Sequence, residues 1–212
     1  MKRLLLILIV VILTSSKPIY EVPIKASVLR NSEYIMLSQV GLKEKHGRND
    51  GEHIRQYHKV IGLDYSNTKT NYPYCMMGQA WFIWVANDSS FKGVETIKTA
   101  GTRKAFNNFK NNGTKRLNGT PQVGDLIFWA MPRSVSGHVE RIIRVIDEVT
   151  FETVGLNTSN GKTGSQREGN GNFKRIRRID TRLGSLCFLG FGGWKVINDG
   201  VVFVPYCTYK DK

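Results

Sequence analysis

Twelve consecutive residues at positions 75–86, CMMGQAWFIWVA, constrain this chain more than any other feature. The run is too long for an ordinary strand, so it predicts a helix buried inside a domain. Such a helix has to be wrapped by the rest of the chain. The 212 residues, 41% hydrophobic and 23% charged, have the globular composition of one domain with a real core.

What surrounds the run is ordered. Before it, residues 31–41 place Ile35, Met36, Leu37 and Val40 near one helical stripe that Gly41 ends, and residues 52–62 place Ile54, Tyr57, Val60 and Ile61 on an inner face. Asn49-Asp50-Gly51 reads as a helix cap, since a calcium site wants about six or more oxygens and no such set assembles around it. A polar loop spans residues 65–72, and an amphipathic piece lies around Ala100 to Phe109. After Pro121 the period changes: 123–130, 137–146, 151–157, 173–179 and 185–191 read as short strands, with a further candidate at 201–204. Helices first and strands second predict an α+β domain with N-terminal helices packed on an antiparallel sheet.

The ends differ from this body. Lys2 and Arg3 precede the apolar run Leu4 to Leu13 and then Thr14-Ser15-Ser16, the pattern of a secretory signal in residues 1–16. The run is too short for a bilayer core of about 30 Å. Residues 17–30 read as a linker, 31–191 as the main folded domain and 192–212 as a C-terminal extension. The net charge of +14 attracts polyanions, and export favours anionic cell-wall polymers among them. Lys174-Arg175-Ile176-Arg177-Arg178 raises nucleic acid as a partner, yet the basic residues alternate as an exposed strand face would and no recognition motif accompanies them. Three cysteines are too few for a disulfide scaffold. One bridge between Cys187 and Cys207 would leave Cys75 as a free thiol.

Cys75 opens the predicted buried helix, where the positive end of the helix dipole lowers a thiol pKa. The alternative is a small buried cysteine packing as alanine would. A nucleophilic thiol also needs a base. His46, His53 and His58 read as surface residues, whereas His138 follows Gly137 and opens an alternating strand. A third polar group should orient the imidazole. If the strands 138–146 and 151–157 form a hairpin that pairs Ile146 with Phe151, then Arg144 pairs with Thr153 and Glu140 with Asn157. Asn157 then lies on the His138 face, with Glu140 the weaker candidate. A thiol at a helix start, then a sheet bearing histidine, then a polar residue on the next strand is the papain-like order.

The motifs resemble those of the CHAP family, within the NlpC/P60-like, papain-like group of peptidoglycan hydrolases. Ser38-Gln39-Val40-Gly41-Leu42-Lys43-Glu44 with Asn49-Asp50-Gly51 resembles the family's opening, and Tyr72-Pro73-Tyr74-Cys75 its nucleophile segment. Pro121 with Val123-Gly124-Asp125 is similar to the Pro-x-x-Gly-Asp strand, Gly137-His138-Val139 to the histidine strand, and Thr153-Val154 with Asn157 to Gly161 to the third-residue segment. The resemblance implies that Cys75, His138 and Asn157 cleave an amide or peptide bond of peptidoglycan without metal or organic cofactor, and the N-terminal signal adds the expectation of a secreted, periplasmic or envelope protein, taken to act as a monomer. Gly155 stands where many members carry glutamate, Glu140 where they carry glycine, and Met76 and Met77 where small residues are usual. These departures leave room for an inactive wall-binding or envelope-structural module on the same fold.

Overall fold

The structure, a computed structural model, describes residues 18–63, 72–162, 165 and 169–202. The chain runs β1 (Ile19–Lys25), α1 (Ala26–Ser38), α2 (Glu52–Val60), α3 (Cys75–Ala86), a 3-10 turn (Glu95–Ile97), α4 (Thr102–Asn112), β2 (Thr114–Lys115), β3 (Leu126–Ala130), β4 (Gly137–Val145), β5 (Thr150–Thr158), β6 (Gly171–Arg178) and β7 (Cys187–Ile197). It is an α+β fold: one seven-stranded sheet in the order β2-β1-β7-β3-β4-β5-β6, with helices packed on it.

The helix over 75–86 forms as the sequence predicts, and eight of its twelve residues are buried. One side of α3 joins Cys75, Met76, Ala80 and Ile83 to Phe106 and Phe109 of α4 and to Leu126, Phe128 and Val139 of the sheet. The other joins Met77 and Phe82 to Met36, Ile54, Tyr57, Val154 and Leu156. Burying one such side chain contributes about 1.5–3 kcal/mol, more than the roughly 0.7 kcal/mol spread of ordinary helix propensities. Packing therefore holds α3. Gly78 lets it approach the sheet, since a Cβ there would lie 2.1 Å from Leu156 Cδ2. Strand alternation gives the sheet a second apolar face, where Ile127, Trp129, Ile142, Phe151 and Phe191 meet Leu183 and Leu186.

Several expectations change. The expected linker at 17–30 holds β1 and the start of α1. β1 pairs in parallel with β7 from Ile19↔Phe191 to Lys25↔Ile197, so the sheet is not purely antiparallel. The expected extension at 192–212 begins inside β7, because Gly192 and Trp194 are buried interior positions of the sheet. Val201 and Val202 lie outside any strand. His58 is buried, with Nδ1 2.8 Å from the Ile54 carbonyl oxygen, because α2 turns it inward. Neither Asn49 nor Asp50 caps α2: the cap position is Gly51, and Asp50 accepts the His46 backbone N–H at 2.8 Å instead. The signal at 1–16, most of the loop at 65–72, positions 203–204 and Cys207 with its expected bridge lie outside the described residues.

Candidate active site

Cys75 and His138 come from elements far apart in sequence. The apolar character of α3 drives its first residue against the sheet, and Gly137 opens β4 beside Thr102, the first residue of α4. The Cys75 sulfur lies 3.5 Å from Thr102 Oγ1. A pocket of about 280 Å3 opens over the thiol, lined by Tyr72, Pro73, Ala100, Thr102, Val135 and Gly137 among others. Thr102 was not singled out in the sequence. A helix start was legible around Ala100, but its closeness to Cys75 was not.

The imidazole of His138 is fully buried, and Nε2 lies 3.0 Å from Glu140 Oε1. Nδ1 has no conventional hydrogen-bond partner among the described residues, so it is the nitrogen left to serve the thiol. Burial works against a charged ring, yet hydrogen bonding and charge from Cys75 and Glu140 raise the His138 pKa to about 9. Burial likewise pushes the Cys75 thiol up, but the hydrogen bond and charge of His138, then the Thr102 hydroxyl and the Val139 backbone, bring it below the ordinary thiol value. Each group favours the charged form of the other, which is how a thiolate–imidazolium pair is built.

The residue placed against the imidazole is Glu140, and Asn157 makes no hydrogen bond to it. The hairpin is offset from the expected register. Asp147 closes the turn by accepting the backbone N–H of Val149 at 2.9 Å and of Thr150 at 2.8 Å, and a bulge falls between Ile142 and Arg144. Val145 therefore faces Phe151, Arg144 faces Glu152, and Glu140 faces Gly155. A Cβ on Gly155 would sit 2.5 Å from Glu140 Oε1, so the glutamate fills the space that a side chain at 155 would take. Asn157 is buried with φ of 56°, and neither polar atom of its amide has a hydrogen-bond partner among the described residues. The two departures at Gly155 and Glu140 thus offset one another: one carboxylate reaches the imidazole from the histidine's own strand.

Glu140 is fully buried and its oxygens are engaged. Arg177 donates from Nε at 2.9 Å to Oε2 and from Nη2 at 2.6 Å to Oε1, and Thr153 Oγ1 donates to Oε2. Burial would raise its pKa, but the Arg177 charge and the hydrogen bonds from His138 and Arg177 hold it far below the usual carboxylate range. The sequence read Arg177 as one of an exposed basic row. It is instead buried, while Ile176 beside it is 54% exposed, because β6 turns the arginine toward Glu140. Nothing in the sequence separates Arg177 from Lys174, Arg175 or Arg178. Among the described residues, no group of three or more His, Cys, Asp or Glu side chains could hold a metal ion.

A buried thiol at a helix start, coupled to an imidazole that a carboxylate holds, is an arrangement that can support nucleophilic attack on a carbonyl. Residues 67–157 match the family model of the CHAP domain, a family of peptidoglycan hydrolases, amidases and peptidases, as the sequence motifs indicated. The match takes in Cys75, His138, Glu140 and Asn157 and leaves β1, α1, α2, β6 and β7 outside it. No curated protein and no solved structure matches the chain.

Proposed function

We propose that the protein cleaves an amide or peptide bond of peptidoglycan by a papain-like thiol mechanism. The reading is carried by the buried Cys75–His138–Glu140 chain, whose thiol lines a pocket. The Cys75 thiolate attacks the scissile carbonyl carbon. The negative charge that develops on the carbonyl oxygen is received by backbone N–H groups of the first turn of α3, where no side chain caps the helix. The imidazolium of His138 protonates the departing amine, leaving a thioester on Cys75. Water then attacks the thioester as His138 takes its proton, and the acid product leaves with the thiolate restored. Glu140 fixes the ring orientation and stabilises its charged form. The inactive-module reading drew on the basic surface and on the departures at Met76, Met77, Glu140 and Gly155; the Glu140 carboxylate against His138 favours the active reading. The proposal also includes export through residues 1–16, action as a monomer and attraction of the +14 chain to anionic wall polymers.

The test is turbidity loss of purified cell walls with mass spectrometry of the released muropeptides, comparing residues 17–212 with their Cys75→Ala variant. New termini are expected from the wild type alone, and they identify the bond. Equal cleavage by both, or none by either across several wall types while both remain folded, would sink the reading.

A further inference from the structure

We propose that Arg177 is a positioning residue of this site, holding Glu140 as an anion aimed at His138 from two strands away. The proposal rests on the thiol–imidazole reading above and extends it beyond the segment that matches the CHAP family model. Arg177 lies on β6, and β5 separates it from β4. Its guanidinium reaches across β5 to contact both oxygens of Glu140, and Nη2 also donates to Thr158 Oγ1 at 3.1 Å. Gly155 leaves the space this requires, since a side chain there would collide with the Glu140 carboxylate.

The physical reason for an arginine here is burial. A carboxylate with no water around it neutralises itself by taking a proton unless a charge and hydrogen bonds compensate. A protonated Glu140 would no longer stabilise an imidazolium, and the thiolate would lose its counter-charge in turn. The charges run in alternating sign from Cys75 to His138 to Glu140 to Arg177. The other groups that bear on them are few: Thr102 and the Val139 backbone at the thiol, Thr153 at the carboxylate, and the guanidinium of Arg175, which feels Glu140 while donating to the Asn160 carbonyl at 2.6 Å. Arg175 supplies no hydrogen bond to Glu140, so it does not duplicate Arg177.

The experiment is the pH profile of iodoacetamide labelling at Cys75, read by peptide mass mapping so that Cys187 and Cys207 do not interfere. The wild type should label below the pH range of an ordinary thiol. Arg177→Met should raise the apparent thiol pKa by about one unit, which is about tenfold slower labelling on the acid side. Arg177→Lys should recover part of the loss. If Arg177→Met does not fold, Arg177→Gln takes its place and should shift the profile in the same direction. A wild-type profile in the folded Arg177→Met or Arg177→Gln variant overturns the proposal and leaves the thiol-hydrolase reading standing. A wild-type protein whose Cys75 labels as an ordinary thiol overturns that reading itself.

Discussion

Cys75 meets two different partners, and they make separable contributions. The hydroxyl of Thr102 can donate to the thiolate from α4 while His138 acts from β4. A hydrogen bond to a charged group is worth about 1.5–3 kcal/mol, or roughly a tenfold to hundredfold factor in rate. Thr102→Val keeps the shape and removes the donor, so kcat/KM on wall peptides should fall at least about tenfold, while Thr102→Ser should stay near the wild type. Equal rates for valine and serine would show that the hydroxyl is idle. On the proposed mechanism, the titration of His138 sets the alkaline limit. Its pKa lies at about 9 against an ordinary 6.5, and the leaving amine takes its proton from the charged ring. Cleavage should therefore hold through neutral pH and fall as pH rises through about 9. A rate that already declines near the ordinary histidine value would mean that Glu140 and Cys75 do not keep the ring charged.

At the scale of elements, α3 and the β4–β5 hairpin have to meet closely for the site to exist. Gly78 is a point of close approach, where an added Cβ would lie 2.1 Å from Leu156 Cδ2. Alanine in a helix interior gains about 1 kcal/mol over glycine, whereas extra volume in a packed core costs about 1–3 kcal/mol. The neighbour at 2.1 Å is Leu156, itself fully buried, so overpacking should win. Gly78→Ala should lower the denaturant midpoint by an amount equivalent to about 1 kcal/mol, although it improves helix propensity. An increase in stability would show that α3 can shift. The length and character of α3 were legible because an apolar run of twelve residues has no other stable place. The hairpin register was not legible: it depends on the Asp147 turn and on a bulge, and one residue of slip changes which side chain faces Glu140.

At the scale of the whole molecule, the first and last described strands lie inside the sheet. β1 lies between β2 and β7, and β7 lies between β1 and β3, so the outer segments of the sequence occupy interior places in the sheet. Arg116 reinforces this, bonding Glu21 of β1 at 2.7 Å and Asp125 at 2.6 Å from the loop before β3. A chain that begins at residue 31, where the periodicity first becomes helical, should therefore lose cooperative thermal unfolding, and one that begins at residue 18 should keep it. Retention of a sharp transition by the shorter chain would show that β1 is dispensable. The sequence by itself determined the α+β class, the buried helix, the thiol at its start and the histidine on a strand, because period, length and local motif are properties of neighbouring residues. Tertiary structure alone decided that β1 belongs to the sheet, that Thr102 touches the thiol, and that Glu140 with Arg177 completes the charge chain where Asn157 was expected. Those outcomes depend on strand order, register and burial, which turn an ordinary surface glutamate and arginine into a paired, water-excluded couple, and no local pattern encodes them.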